Sequence, residues 1–202
     1  MINIIFFGDS ITEGAEFTTN DRWTNLLQIK LDTVKPETFS VHNKGIGGNT
    51  TAQGFDRFNL DVLPLLPGVV FIQFGLNDAN VKDFAIKPRV GLAEFEKNLK
   101  EFHRIVKAHN SVPVFILNHT IGEVDDEQGN GKSYNDNYAP YSKAIEAVAN
   151  ELNALLIDVP KQMSERGIKA DDFVSDDQIH LSLAANQDYA EIIYAGLNEI
   201  KL

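Results

Sequence analysis

The chain has 202 residues, 43% of them apolar and 23% charged, which is the composition of one globular domain, or two at most, able to bury a core. Its formal charge of −11, from 18 basic and 29 acidic side chains, argues against nucleic-acid and anionic-membrane partners, because both need a basic face. It contains no cysteine, so disulfides, cysteine-bound zinc, iron–sulfur clusters and thiol catalysis are excluded.

In chain order, the first apolar run is Ile4–Phe7. The N-terminus carries no basic leader or small-residue cleavage site, and no stretch approaches the roughly 20 apolar residues of a membrane span. The expected location is therefore the cytoplasm. Further short apolar runs follow at Val69–Phe74, Val112–Leu117 and Leu155–Val159, with a weaker one at Phe39–His42. Each is bounded by Gly, Pro, Asn or Asp, as expected of strands buried on both faces. Between them lie helical periods. Trp23, Leu26/Leu27, Leu31 and Val34 share a face, and so do Leu92, Phe95, Leu99, Phe102 and Val106. Tyr141, Ile145, Val148 and Leu152 repeat the spacing, as do Ala185, Tyr189, Ile192/Ile193 and Ile200. The alternation predicts one three-layer α/β/α domain over 1–202, with about five parallel strands and helices on both faces. Residues 119–137 break the rhythm; a loop that long is either functional or a surface excursion.

In open parallel sheets, ligands sit beyond the carboxyl ends of the strands. Four blocks fall there: Gly8-Asp9-Ser10-Ile11-Thr12, Gly45-Ile46-Gly47-Gly48-Asn49-Thr50, Gly75-Leu76-Asn77-Asp78, and Asp177-Gln178-Ile179-His180 before the last helix. Taken singly, each reads as a cap or a turn. His103 and His109 read as solvent-facing helix positions. Taken together, the blocks supply what acyl transfer requires. Ser10 is an alcohol nucleophile, His180 a base, and Asp177 an acid able to hold the imidazole in one tautomer. The N–H groups of Ser10 and of a glycine in Gly47-Gly48, with the Asn77 amide, can surround an oxyanion.

These four blocks, in this order and spanning the chain end to end, resemble the SGNH hydrolase superfamily of GDSL-type esterases and lipases. The resemblance implies a flavodoxin-like fold and ester hydrolysis through an acyl-enzyme without metal or cofactor. It also implies that Ser10, Asp177 and His180 form the triad, and that Ser10, Gly48 and Asn77 form the oxyanion hole. Gly48 is preferred to Gly47 because the family's glycine precedes a polar residue and a Thr or Ser, here Asn49-Thr50. Asp177 is preferred to the adjoining Asp176 because the family spacing to the histidine is three. Where the family often has proline after that histidine, this chain has Leu181.

Three other patterns fail. Gly131-Lys132-Ser133 lacks the first glycine of a phosphate loop, and Gly45-x-Gly47 lacks the third glycine of a dinucleotide fingerprint. The acidic group Asp171, Asp172, Asp176 and Asp177 with His180 has no second cluster to complete a cation site, and reads as a solvated loop.

The expected activity is a serine esterase acting on a small-molecule ester of acetyl type. Thioesters and acetylated carbohydrates suit the same centre. A non-catalytic flavodoxin-like binding module is the reading from another class, as is a homologue that has lost activity. Residues Ala79, Asn80, Val81 and the 119–137 loop are expected to wall the pocket. The polar side chains Asn49, Asn118, His119, Asn135 and Asn137 favour a small or carbohydrate group over a long lipid.

Overall fold

A computed structural model describes residues 1–124 and 126–200. The sheet has five parallel strands in the order β2-β1-β3-β4-β5: β1 (Ile2–Gly8), β2 (Phe39–Gly45), β3 (Gly68–Gln73), β4 (Val112–Leu117) and β5 (Leu155–Asp158). All five expected strands are present. Between the strands lie α1 (Ser10–Glu13), α2 (Trp23–Val34), α3 (Thr51–Asp61), α4 (Leu76–Ala79), α5 (Leu92–Ala108) and α6 (Tyr134–Glu151), and α7 (Val159–Glu165), α8 (Ala170–Phe173) and α9 (Leu183–Asn198) follow β5.

Successive side chains of a strand point to opposite faces, and β1 shows the consequence. Phe6 packs on one side against Trp23 of α2, whose ring in turn meets Tyr189 of α9. Phe7 packs on the other side against Phe58 of α3 and Phe102 of α5, at centroid distances of 5.4 and 5.5 Å. Ile4, Ile5, Phe6 and Phe7 are all fully buried, so one four-residue run serves both layers of the core. That is why the strand reads as continuous apolar sequence instead of alternating.

Some sequence expectations are corrected. Val34 lies at the end of α2 and is 56% exposed, because the helix has by then run past the layer it covers. Leu152 falls just outside α6 as its C-cap. His103 is half-buried with its ring over Phe115, not free in solvent. The expected loop over 119–137 ends earlier, since α6 begins at Tyr134 with the Ser133 side chain capping Asp136 N–H; Asp125 within it lies outside the described residues. Helix α3 gave no periodic signal because its buried positions are only Thr51, Gly54 and Phe58. Its start is nevertheless written as a capping box, Thr50 with Gln53.

The register positions the chemistry. Gly8 of β1 stands level with Gly45 of β2 on one side and Gln73 of β3 on the other. The chain direction across the sheet reverses around β1, so the loops after β1 and β3 diverge to opposite faces and leave a crevice between them. Ser10 and Asn77 follow within four residues of those strand ends.

Candidate active site

Ser10 opens α1, a single turn capped by Asp9, whose carboxylate accepts from Ile11 N–H at 3.0 Å. The turn is held from behind. Trp23 Nε1–H donates to Ile11 O at 2.8 Å, and Thr12 Oγ1–H donates to Gln73 Oε1 at 2.7 Å. Gly45 has to be glycine because α1 crosses its backbone, where a Cβ would meet Glu13 N at 2.1 Å.

His180 Nε2 lies 2.8 Å from Ser10 Oγ, 170 positions away in sequence. On its other side, Nδ1 lies 2.5 Å from Asp177 Oδ2. The second oxygen, Asp177 Oδ1, accepts from Ser175 Oγ, Ile179 N–H and His180 N–H at 2.8–2.9 Å. Asp177, and not Asp176, thus meets the imidazole. Burial pushes the Asp177 carboxyl up, but the hydrogen bonds from His180, Ile179 and Ser175 outweigh it and hold the group well below the usual carboxylate range. An ionised Asp177 fixes His180 with its proton on Nδ1, leaving Nε2 free to take one from Ser10.

Backing this turn is His119, which is 1% exposed, with its ring tilted against Phe173 at a centroid distance of 5.6 Å. Its Nε2–H donates to Ile179 O at 2.8 Å. Burial lowers its pKa to about 4, so the ring is neutral. Gly122 N–H adds a bond to Gln178 O at 2.8 Å.

The two glycines of the second block differ in one decisive respect. Gly47 N–H already donates to Glu13 Oε2 at 2.5 Å. Gly48 has φ +74° in the turn closed by Asn49 N–H to Ile46 O, and among the described residues no acceptor takes its N–H. The turn is anchored by Arg57, which donates to Asn49 Oδ1, Lys44 O and Gly8 O at 2.8–2.9 Å.

Asn77 stands on α4 with its Nδ2 3.4 Å from Asp9 Oδ2 and its Oδ1 accepting from Arg89 Nη1 at 3.2 Å. Next to it, Asp78 is fully buried, and its Oδ1 accepts from both Thr51 N–H (2.9 Å) and Thr51 Oγ1–H (2.5 Å). That bond ties the N-terminus of α3, and so the Gly48 turn, to the Asn77 block. Burial pushes the carboxyls of Asp9 and Asp78 up to about 6 each. Below them, Gln73 Nε2 donates to Asn118 Oδ1 at 2.6 Å, and Asn118 Nδ2 donates to Tyr138 Oη at 3.1 Å, which completes a buried polar floor.

Ser10, Asn77 and His180 open into a cavity of about 310 Å³. Leu76, Tyr134, Val124 and Ile179 give it apolar wall, while Asn80, Lys82, Asp83, Asp126, Glu127 and Gln128 form a largely acidic rim. The sequence expectation about this wall is half corrected. Asn80 and part of the 119–137 loop line it, but Ala79 and Val81 are buried behind it. Asn118 and His119 are buried, Asn49 accepts from Arg57, Asn135 donates to Gly122 O, and Asn137 donates to Gln128. These five side chains serve the scaffold, so their polarity says nothing about the substrate. Among the described residues no three His, Asp or Glu side chains converge as a metal site.

The residues that sequence reasoning missed are Arg57, Arg89 and the supporting roles of Asp9, Gln73, Asp78, Asn118 and His119. Asp9 and Asp78 lie inside the four blocks, which was a usable signal; the others had none.

Residues 6–187 match the model of the GDSL-like lipase/acylhydrolase family. The chain is 34% identical to the uncharacterized lipoprotein YqeF of Bacillus subtilis over 147 residues, covering 70% of this chain and 56% of that protein's length. It is 27% identical to an acetylxylan esterase of Geobacillus stearothermophilus over 80% of this chain and 78% of the esterase. The solved structure of the lipase/acylhydrolase from Enterococcus faecalis superposes with a TM-score of 0.80 at 25% identity, covering 98% of this chain and 96% of that one. The chain therefore belongs to the GDSL-like lipase/acylhydrolase family, a family of hydrolases acting on ester bonds.

Proposed function

We propose that this chain is a serine esterase that hydrolyses small, uncharged acyl esters of acetyl type through an acyl-serine intermediate. The observation that carries the reading is the continuous contact from Asp177 through His180 to Ser10 Oγ. Ser10 Oγ attacks the ester carbonyl as His180 Nε2 takes its proton. The developing oxyanion lies among Ser10 N–H, Gly48 N–H and the free N–H of Asn77 Nδ2. His180 then returns the proton to the departing alcohol, and Asp177 stabilises the imidazolium in between. Water enters, gives a proton to His180 and attacks the acyl-serine; the bond to Ser10 Oγ then breaks, His180 returns the proton to Oγ, and the acid is released.

The cavity supports this substrate class. A volume of about 310 Å³ suits a short acyl group with part of its alcohol. The rim carboxylates Asp83, Asp126 and Glu127 disfavour anionic partners such as phosphorylated thioesters, and the chain's charge of −11 acts in the same direction. The acetylxylan esterase relative supports an acetylated carbohydrate as the alcohol portion.

The test is hydrolysis of p-nitrophenyl acetate, then of longer acyl esters and of acetylated xylo-oligosaccharides. Acetyl esters are expected to turn over fastest. Ser10→Ala should lower kcat by about 10⁴-fold or more, and Asn77→Ala by about 10²–10³-fold. Full activity in Ser10→Ala would overturn the mechanism, and a preference for long acyl chains would overturn the substrate class.

A further inference from the structure

We propose that Arg89 is a positioning residue that holds the Asn77 side-chain amide with its N–H groups, not its oxygen, directed into the oxyanion hole. The inference rests on the esterase reading above and assigns a role within it.

An asparagine amide can face either way, and only one way donates to an oxyanion. Here both neighbours remove the choice. Arg89 Nη1 can only donate, so the group it meets at 3.2 Å must be Asn77 Oδ1. Asp9 Oδ2 faces the other end of the amide and accepts from Nδ2 at 3.4 Å, and a carboxyl pushed up to about 6 is mostly ionised at neutral pH. The flipped amide would set two donors against each other at Arg89 and two acceptors against each other at Asp9. The Asp9 contact is long at 3.4 Å and leaves Nδ2 with a second N–H for substrate. The shorter, charge-assisted bond from Arg89 is the stronger of the two constraints.

Arg89 is itself well fixed. Its own N–H donates to Asn80 O at 3.0 Å, and the N–H of Val90 donates to Asp78 O at 3.1 Å. Val90 is buried, and Tyr141 Oη–H donates to its carbonyl at 2.5 Å. Pro88 restricts the backbone on the other side. The second arm of the guanidinium, Nη2, donates at 3.0 Å to Gln53 Oε1, which also receives Thr50 N–H as part of the α3 capping box. One planar fork therefore spans the Asn77 amide and the first turn of the helix that follows Gly48. Lysine, a point charge on a flexible stem, cannot span both. Arg89 meets the site at Asn77 Oδ1, so its role runs through that amide.

The test is a double-mutant cycle on acetyl-ester turnover with R89M and N77A, with melting temperatures measured alongside. R89M is expected to lower kcat about tenfold with KM nearly unchanged, since the interaction lost is made in the transition state. In the N77A background R89M should have no further effect, because the amide it positions is gone. R89K should fall between the parent and R89M, and it replaces R89M in the cycle if that variant melts early. A silent R89M, a loss that multiplies with that of N77A, or a raised KM at unchanged kcat would each overturn the proposal. If Ser10→Ala is inactive while R89M is silent, only the role of Arg89 falls. If Ser10→Ala is fully active, the esterase reading falls first.

Discussion

The body of the sheet and its carboxyl edge are built by opposite rules from adjacent residues. Ile4 to Phe7 are buried apolar side chains that pack on both faces with no polar obligations beyond the backbone ladder. Two residues on, Asp9 is just as buried, and with Gln73, Asp78, Asn118 and His119 it forms a layer of polar groups out of water. Some of that layer is incompletely paired: Asp78 Oδ2 and His119 Nδ1 are buried without a partner among the described residues. Buried unpaired polar atoms oppose folding. The edge therefore draws on stability supplied by the body, and what it gains is the fixed placement of Ser10, Gly48, Asn77 and His180.

The largest effect on turnover without loss of fold is expected at Asp177. Asp177→Asn keeps an oxygen for the bonds from Ser175 and from Ile179 and His180 N–H but cannot hold the imidazole in the same tautomer. Ester kcat should fall by about 10³–10⁴-fold with the melting temperature nearly unchanged. A large fall in melting temperature with turnover retained would place Asp177 in the scaffold instead.

The body should respond in the reverse way. Phe102 is fully buried and meets Phe7, Phe55, Phe58 and Phe74. Phe102→Ala should lower unfolding free energy in urea by about 3–5 kcal/mol, while the fraction that remains folded turns over near the parental rate. Loss of turnover in fully folded protein would mean that core and edge are not separable.

A smaller effect is expected in the pH dependence of stability. Burial lifts the Asp78 carboxyl to about 6 in the folded chain from about 3.8. The folded state then holds its proton more tightly than the unfolded state does. This favours folding below about 3.8, and the advantage is lost as pH rises through about 6. Asp78→Asn removes that titration. Its stability relative to the parent should be greater at pH 8 than at pH 5, by about 1–2 kcal/mol, as read from urea melts at both pH values. Equal differences at the two pH values would contradict the raised carboxyl. His119 remains in both proteins and contributes equally, while the Asp78 charge helps raise the Asp9 carboxyl, so its removal eases Asp9 and shifts the difference in the same direction. For the histidine the sign is opposite, since its lowered pKa gives stability that is lost as pH falls from 6.5 through about 4.

The same division explains what could be read in the sequence. β1, β3 and β4 were legible because burial on both faces writes itself as uninterrupted apolar runs, and α5 because its apolar stripe is long. Ser10 and Asn77 were legible because their blocks follow strand ends, and Asp177 and His180 because they stand three apart just before the last helix. Arg89 was not, since its meaning lies in the partners Asn77 and Gln53, 12 and 36 positions away, and one arginine in a loop carries no pattern. His119 was misread for the same reason: a histidine in a polar loop gives no sign that it is buried against the turn of His180. Helix α3 was missed because it buries few apolar side chains, although Thr50 and Gln53 marked its start.

The central claim is that Ser10 is a nucleophile activated by His180. Its most direct test is covalent capture: incubation with a p-nitrophenyl phosphonate ester, intact mass, and peptide mapping, in the parent and in His180→Ala. The account predicts a single phosphonyl group on Ser10, stoichiometric with the loss of esterase activity, and labelling slowed by orders of magnitude without His180. Activity that survives the reagent, or a phosphonyl group on another residue that accounts for its loss, would contradict it.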